Sequence, residues 1–233
     1  MQRVGRLGTE ALRFREMRTR EQVLDSLENC FRGLGANWFL VTGVPMPGRP
    51  VEPLVLRRNW GASLGDEAID GEDAILLDGL ACRRAKIVEA GTGDLVERSA
   101  ICRSAASAGA QAFISVPIEA FHPFQALVVA ATDTRLDLPR MVLMALEYLC
   151  EEAFRQLLAL GAIDGERPGD LSGRERRVVA LSALGKTASD IAEALAISQR
   201  TVHAHLQNAS DKLRARNKTQ TVVEALRYGQ ITL

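Results

Sequence analysis

The C-terminal segment, residues 171–233, contains four closely spaced helix starts, and they constrain its fold more than any other feature. Each of four runs with helical spacing of apolar residues follows a side chain that can cap a first helical turn. These capping residues are Ser172, Thr187, Ser198 and Asn217. The apolar residues that would share one core are Val178, Leu181, Leu184, Ile191, Leu195, Val202, Leu206, Ala209, Leu213, Val222, Ala225 and Leu226. The sequence therefore predicts an all-α domain of four helices.

The second and third of these runs are separated only by the short "AIS" at 196–198, which gives them the proportions of a helix-turn-helix. The Gly-Lys-Thr at 185–187 also resembles the end of a phosphate-binding loop. That loop needs a strand before it and a glycine five residues before Gly185, where this chain has a helical pattern and Ala180. We therefore expect Gly185 to end one helix and Thr187 to cap the next.

The charges of the chain are unevenly distributed, although its 29 basic and 29 acidic residues cancel. Residues 171–233 contain ten basic and five acidic side chains, so residues 1–170 carry the compensating negative charge. A basic module on a larger acidic body is typical of a DNA-binding domain attached to a regulatory domain. A solvated basic surface would give the same count.

Residues 1–160 mix helical and strand-like patterns. After an Arg-rich arm, Thr19 and Gln22 predict a capping box at the start of a helix. Strands are indicated at 37–44, 53–59, 112–120 and 126–132, and further helices at 73–86, 95–109 and 138–160. Helices on both sides of a mainly antiparallel sheet form an α/β/α sandwich, an architecture used by small-molecule sensor domains.

The predicted fold class is therefore α+β, with two domains. The sandwich occupies residues 1–160 and the helix-turn-helix domain residues 171–233. Between them, "GAIDGERPGD" at 161–170 contains three Gly, one Pro and four charges, which is typical of a linker.

Several classes of protein are disfavoured by what the sequence lacks. No apolar run reaches the roughly 18 residues of a membrane span, and the N-terminus has no signal-peptide pattern, so we expect a cytoplasmic protein. The four cysteines are far apart and have no histidine at ligand spacing, which predicts buried, reduced thiols and no metal site. We find no catalytic triad or nucleotide loop, so we expect neither an enzyme nor a cofactor.

Residues 171–231 closely resemble the DNA-binding domain of LuxR-type transcriptional regulators. The resemblance rests on Glu175, the Gly-Lys-Thr at 185–187, the Thr-Val at 201–202, the Lys-Leu at 212–213 and the Asn-x-Thr-Gln at 217–220. The last motif and the length of the N-terminal part are similar to the quorum-sensing branch of the family. A phosphoreceiver domain would need an acidic cluster after its first strand, and residues 36–44 contain none.

The resemblance implies which residues of the third helix contact DNA. His203, Ala204 and Gln207 would meet base edges, where a glutamine pairs with adenine and an alanine contacts a thymine methyl group. Gln199 and Arg200 would lie at the rim of this surface. Arg200, Thr201 and Lys212 would touch phosphates, which fix register without reading sequence. The alternative is that His203 and Gln207 are ordinary solvated helix positions.

The resemblance also implies a binding site for an N-acyl homoserine lactone in residues 1–160. The family recognises this signal with a Trp, a Tyr four residues away, an Asp about a dozen residues further on, and a second Trp. Trp60 and Asp73 stand at the first Trp and the Asp positions, whereas Leu64 stands at the Tyr position and the second Trp position falls near Val88. Phe113 stands near an expected glycine. The alternative is that Trp60 is an ordinary aromatic residue and Asp73 a helix cap.

Two functions remain open from the sequence. The first is a DNA-binding regulator controlled by a small signal such as an N-acyl homoserine lactone. The second is an orphan regulator that does not bind this signal and is controlled by dimerisation, a protein partner or another ligand. Both predict double-stranded DNA as a partner and a homodimer formed through the 138–160 helix and the last helix.

Overall fold

The computed structural model describes residues 2–59, 69–91, 94–121, 124–163 and 171–232. The helices of these residues are α1 (Gln2–Arg13), α2 (Arg20–Arg32), α3 (Ala74–Cys82), α4 (Leu95–Arg98), α5 (Ala100–Ser107), α6 (Arg140–Ala159), α7 (Gly173–Ala183), α8 (Ala188–Leu195), α9 (Gln199–Lys212) and α10 (Lys218–Arg227). The strands are β1 (Trp38–Gly43), β2 (Val55–Arg58), β3 (Lys86–Glu89), β4 (Ala112–Phe121) and β5 (Phe124–Thr132).

The five strands form one antiparallel sheet in the order β2-β1-β5-β4-β3. Both hairpins expected from the sequence, β1–β2 and β4–β5, are confirmed. Strand β3 corrects the prediction that one helix runs from 73 to 86. Helix α3 ends at Cys82 because Arg83 takes the left-handed conformation, with φ of 54°, and Lys86 already pairs with Ser115 of β4.

Helices cover both faces of the sheet, which confirms the α/β/α sandwich. Helices α1, α2 and α6 enclose one apolar core against β-strand residues such as Val116 and Val128. Helices α3, α4 and α5 enclose a second core on the opposite face, against residues such as Phe113, Leu127 and Val129. Successive strand residues alternate between the two cores because side chains of a strand point to alternate faces.

The Arg-rich N-terminal arm is in fact a helix, α1. Leu7 and Ala11 lie one turn apart and are buried in the first core, where α1 packs along α6. The arginines occupy the remaining sides of this helix. Because only one narrow stripe of α1 is apolar, its helical pattern is weak in the sequence.

The C-terminal domain contains the four helices expected from the capping residues. The side chains of Ser172, Thr187, Ser198 and Asn217 each accept a hydrogen bond from the amide three residues later, at 2.9–3.2 Å. Gly185 follows α7 with a φ of 78°, so it ends that helix as expected. Leu184 was predicted to face the core, but its side chain is 64% exposed, because α7 ends before it and the chain turns towards Thr187.

The cysteines and the start of the expected linker are buried to a different extent than the sequence predicts. The cysteines are free thiols, but Cys82 is exposed at the end of α3 rather than buried, and Cys30 is half-buried.

Ile163 at the start of the expected linker is buried in the first core, while residues 164–170 lie outside the described residues. The domain boundary at 161–170 therefore stays a prediction. Within the described residues, no helix is long and apolar enough to cross a membrane.

Candidate nucleic-acid interface and signal-binding face

Helix α9 is held as the second helix of a helix-turn-helix. Val178, Ile191 and Val202, from α7, α8 and α9, meet in a small apolar core. The turn between α8 and α9 depends on Ala196, which closes α8 in the left-handed conformation with a φ of 51°. Because Val202 and Ala209 are fully buried, the opposite side of α9 is fixed towards solvent.

The expected base-reading residues lie together on this exposed side of α9. His203, Ala204 and Gln207 are all exposed, and so are Gln199 and Arg200 in the first turn. An α-helix with a free side of this kind fits a major groove, and residues near its N-terminus are the ones that reach base edges. The structure therefore brings together the residues selected from the sequence.

Gln207 makes a contact that the sequence analysis did not include. Its Nε2 donates a hydrogen bond to Oδ1 of Asp211 at 2.8 Å. The i, i+4 spacing of a Gln and an Asp on one helix predicts such a bond, so this signal was present in the sequence. The contact turns the amide so that its N–H group is engaged, and it places a carboxylate next to the reading face.

Thr201 and Lys212, the other expected phosphate contacts, are both engaged within the domain. The hydroxyl of Thr201 shares a 2.8 Å hydrogen bond with that of Ser198, which caps α9. Nζ of Lys212 pairs with Oε2 of Glu175 at 2.7 Å, and the side chain of Glu175 is only 6% exposed. Lys212 therefore ties α9 to α7, and its phosphate contact stays a prediction.

The pKa of Glu175 reflects this pairing. Burial alone would raise this pKa, but the hydrogen bonds from Lys212 and from the backbone of Ser172 bring it below the usual value. Because the folded-state pKa is lowered, the stabilisation is fully present above the unfolded-state pKa of about 4.3. It is lost as the pH falls through the folded-state value.

Asp73 caps two helices of the sandwich at once. Its Oδ1 accepts hydrogen bonds from the amide of Ile75, at 3.0 Å, and from the hydroxyl of Ser99, at 2.7 Å. Its Oδ2 accepts from the amides of Ala100, at 2.8 Å, and Ile101, at 3.4 Å. The helix-capping alternative for Asp73 is thus realised in the structure. Burial raises the pKa of this carboxyl group, and the donated hydrogen bonds offset the rise only in part.

Val88, the other described candidate for the signal site, belongs to the same layer as Asp73. It lies on β3 opposite Phe113, and both side chains are buried in the core between the sheet and helices α3–α5. Phe113, which the resemblance places near an expected glycine, is fully buried. Trp60 and Leu64 lie outside the described residues.

One polar group on this face was missed by the sequence analysis. Ser115 lies on β4, two residues from Phe113 and therefore on the same face. It is 1% exposed, and its hydroxyl has no hydrogen-bond partner in the part of the chain that the structure describes. A single serine inside the apolar run "AFISVPI" was the available signal. Buried hydroxyl groups are normally hydrogen-bonded, so this one is suited to a bound polar group.

The comparisons with known proteins agree with both domains. Residues 170–225 match the family described as "Bacterial regulatory proteins, luxR family". The chain is 30% identical to the transcriptional activator protein BjaR1 of Bradyrhizobium diazoefficiens, over 95% of this chain and 96% of BjaR1. Its fold is similar to that of SdiA from Escherichia coli, with a TM-score of 0.55 and 21% identity over 98% and 99% of the two chains. SdiA in complex with octanoyl-rac-glycerol gives a TM-score of 0.56 and 20% identity over 97% and 95%.

The fold and the exposed side of α9 define a DNA-binding transcriptional regulator, in which a helix-turn-helix domain follows an α/β/α sensor domain. This class also confirms that the chain is not an enzyme. The similarity to BjaR1 extends over nearly the whole of both chains and identifies the family within this class. The chain belongs to the LuxR family of bacterial regulatory proteins.

Proposed function

We propose that the N-terminal domain binds a small acyl signal of the N-acyl homoserine lactone type between the sheet and helices α3–α5. The observation that carries this proposal is the hydroxyl of Ser115, which is buried on the same face as Val88 and has no hydrogen-bond partner among the described residues. Helices α3 and α5, which Asp73 caps, cover this face. A signal with an acyl tail would use the apolar side chains of this face, and its polar head would satisfy the hydroxyl. Trp60 belongs to the proposal by resemblance alone.

The choice of an acyl compound is also supported by a relative of the same fold. SdiA has been solved with octanoyl-rac-glycerol, which joins an acyl chain to a polar head. Because identity to SdiA is only 20%, this relative suggests a class of compound and nothing about its contacts in this chain. The class includes both acyl lactones and acyl glycerols, so both belong in the test.

The orphan alternative has a specific observation in its favour. Both oxygens of Asp73 already accept two hydrogen bonds each from within the domain. A ligand amide would therefore have to share or displace one of these bonds. An orphan regulator would keep Asp73 purely as a helix cap, with Phe113 filling the site instead of a ligand.

Binding of the signal should appear as thermal stabilisation that depends on Ser115. At a hundredfold excess over Kd, a bound ligand adds about 2.7 kcal/mol of stability, or roughly 5–10 °C in Tm. The measurement is differential scanning fluorimetry with lactones of four to fourteen acyl carbons and with octanoyl glycerol. Ser115→Ala should keep or raise the Tm of the free protein, since it removes a buried hydroxyl that has no partner within the described part of the chain. It should also reduce the shift caused by the ligand.

The outcomes separate the two functions. A shift with one compound that shrinks in Ser115→Ala supports the proposed site. A Tm shift of equal size in the natural protein and in Ser115→Ala would show that the compound binds away from Ser115. If no compound shifts the Tm, the orphan function is the better one.

We also propose that the regulator acts as a homodimer. Helix α6 exposes an apolar stripe of Met141, Met144 and Tyr148, whose exposed fractions are 63%, 53% and 42%. The spacing of these residues places them on one side of the helix, opposite the buried Leu146 and Leu149. Val223 of α10 is also 48% exposed. A second copy of the chain is the partner that covers the α6 stripe and Val223 when two helix-turn-helix domains bind two half-sites with two-fold symmetry.

Introducing a charge into the α6 stripe should break this dimer. We expect Met144→Glu to weaken self-association by at least about tenfold, because the carboxylate would have to be buried in the interface. Sedimentation equilibrium at micromolar concentration measures the change. The matched control is Leu184→Glu, which replaces an apolar residue of the C-terminal domain that is 64% exposed, against 53% for Met144. The proposed interface would be contradicted if the natural protein were monomeric, or if Met144→Glu and Leu184→Glu associated equally strongly.

A further inference from the structure

Two segments of the sensor domain form a single surface against the C-terminal domain. Residues 45–51 and 69–73 are joined by backbone hydrogen bonds, from the amide of Val51 to the carbonyl of Ile69 at 2.9 Å and from the amide of Gly71 to the carbonyl of Arg49 at 3.2 Å. We call these two segments the docking surface. Gly71 lies so close to the other segment that a Cβ there would be 2.4 Å from the carbonyl oxygen of Pro45. The two segments therefore form one tightly packed unit.

Two polar contacts join the docking surface to the DNA-binding domain. Nη1 of Arg214 lies 3.0 Å from Oε1 of Glu72. The phenol of Tyr228 donates a hydrogen bond to the carbonyl of Gly71 at 3.4 Å, and Tyr228 is 1% exposed. Burial raises the pKa of this phenol, so it stays a donor throughout the physiological range. Both contacts come from residues that follow a helix of the C-terminal domain.

Shape adds to these contacts. The guanidinium of Arg214 lies directly over Gly48, which has no side chain between them. Gly48 also has a φ of 68°, a backbone conformation that favours glycine. Met46 and Val51 of the sensor domain also belong to the same buried apolar cluster as Leu213 and Tyr228.

Arg214 belongs to the basic segment that follows α9, the helix expected to contact DNA. It is the second residue after the end of α9, in a run of four cations at alternate positions: Lys212, Arg214, Arg216 and Lys218. The base-reading side of α9 stays exposed in the docked arrangement, so docking does not cover it. What docking does is neutralise one cation of this run with the carboxylate of Glu72.

We propose that the docking surface is an intramolecular binding site for the DNA-binding domain, which competes with the DNA backbone for Arg214. Both competitors offer the same chemistry, an anionic oxygen to a guanidinium group. Release of Arg214 from Glu72 adds one phosphate contact and strengthens DNA binding independently of sequence. This inference rests on the DNA-binding function and does not depend on which signal the sensor domain binds.

The docking surface also has a connection to the sensor core. Asp73, which caps α3 and α5, is the residue next to Glu72. Any ligand that changes the hydrogen bonds of Asp73 acts on the segment that holds Arg214 and Tyr228. Residues 69–73 therefore contribute both to docking, through Glu72 and Gly71, and to the capping of α3 and α5, through Asp73.

The test is binding of the full chain to a duplex of random sequence, about 30 base pairs long, measured by fluorescence anisotropy across a salt series. We expect Glu72→Gln to raise the affinity for DNA about two- to fivefold, which corresponds to the free energy that one exposed ion pair contributes. The slope of log affinity against log salt should steepen by about 0.9, for one more phosphate contact. Glu21→Gln is the matched control, because it removes the same charge from α2 on the opposite side of the sheet.

Arg214→Ala completes the cycle. It should lower the affinity more in the Glu72→Gln background than in the natural sequence, because only there is the arginine free to bind phosphate. If Glu72→Gln behaves as Glu21→Gln does, or if Arg214→Ala has the same effect in both backgrounds, the competition does not exist. Failure of every acyl compound to bind would leave this result unchanged, so the two proposals fail separately.

Discussion

Replacing Asp73 by alanine should lower the free energy of unfolding by about 2–4 kcal/mol in the absence of any signal molecule. The change removes the acceptor of four hydrogen bonds, two of them from amides in the first turn of α5. It leaves buried N–H groups unpaired at the starts of two helices, which is more costly than losing a solvent-exposed contact. Urea denaturation followed by circular dichroism measures the effect.

Asp73→Asn should show an intermediate loss of about 1–3 kcal/mol. Its remaining oxygen still accepts from Ile75 or Ser99, but its NH₂ group cannot accept from Ala100. The control is Asp94→Asn at the start of the neighbouring helix α4, where the carboxylate is 73% exposed and forms only a surface pair with Arg98. Asp94→Asn should change stability by less than about 1 kcal/mol. Equal stability of Asp73→Ala and the natural sequence would show that the caps are unimportant.

This prediction changes how a signal-binding experiment on Asp73 is read. A weaker response to an acyl lactone in Asp73→Asn would be expected from a destabilised sensor domain, even without a direct contact to the ligand. Ser115 is the better probe because its hydroxyl has no partner among the described residues and supports no helix. Comparison of the two variants distinguishes loss of a ligand contact from loss of the fold around it.

The helices of the C-terminal domain were predictable because a capping residue is a local signal. The oxygen of Ser172 or Thr187 bonds an amide three residues away, so the information lies within a few positions of the sequence. Leu184 was misplaced because spacing alone does not tell at which turn a helix ends. Its helix closes one residue earlier, and its side chain is left in solvent.

The parts that were missed depend on contacts between distant segments. Strand β3 is four residues long and becomes a strand only by pairing with β4, so its sequence carries little pattern of its own. The pairs Glu72–Arg214 and Gly71–Tyr228 join residues more than 140 positions apart. No spacing rule predicts such contacts. The double capping role of Asp73 was foreseen only in its local half, because Ser99 and Ala100 belong to a separate helix.

The base-reading face leads to a second large expected effect. Gln207→Ala should weaken binding to a selected duplex by about 1–3 kcal/mol and leave binding to a scrambled duplex nearly unchanged. The selected duplex is obtained by enriching a random-sequence library with the natural chain. Asn208→Ala is the matched control, because this neighbouring amide side chain is equally exposed on α9 but lies outside the predicted reading set. Equal losses on both duplexes would show that Gln207 does not read sequence.

The phosphate-contacting control for this experiment is Arg200 rather than Lys212. Lys212→Ala would leave Glu175 buried without its cation, so a loss of DNA affinity would mix a lost phosphate contact with a weakened domain. Arg200 is exposed in the first turn of α9. Arg200→Ala should weaken binding to both duplexes alike and lower the salt slope by about one.

Asp211→Ala frees the amide of Gln207 from its 2.8 Å hydrogen bond and should change which base is preferred opposite Gln207. An unchanged preference would show that Asp211 does not orient the reading side chain.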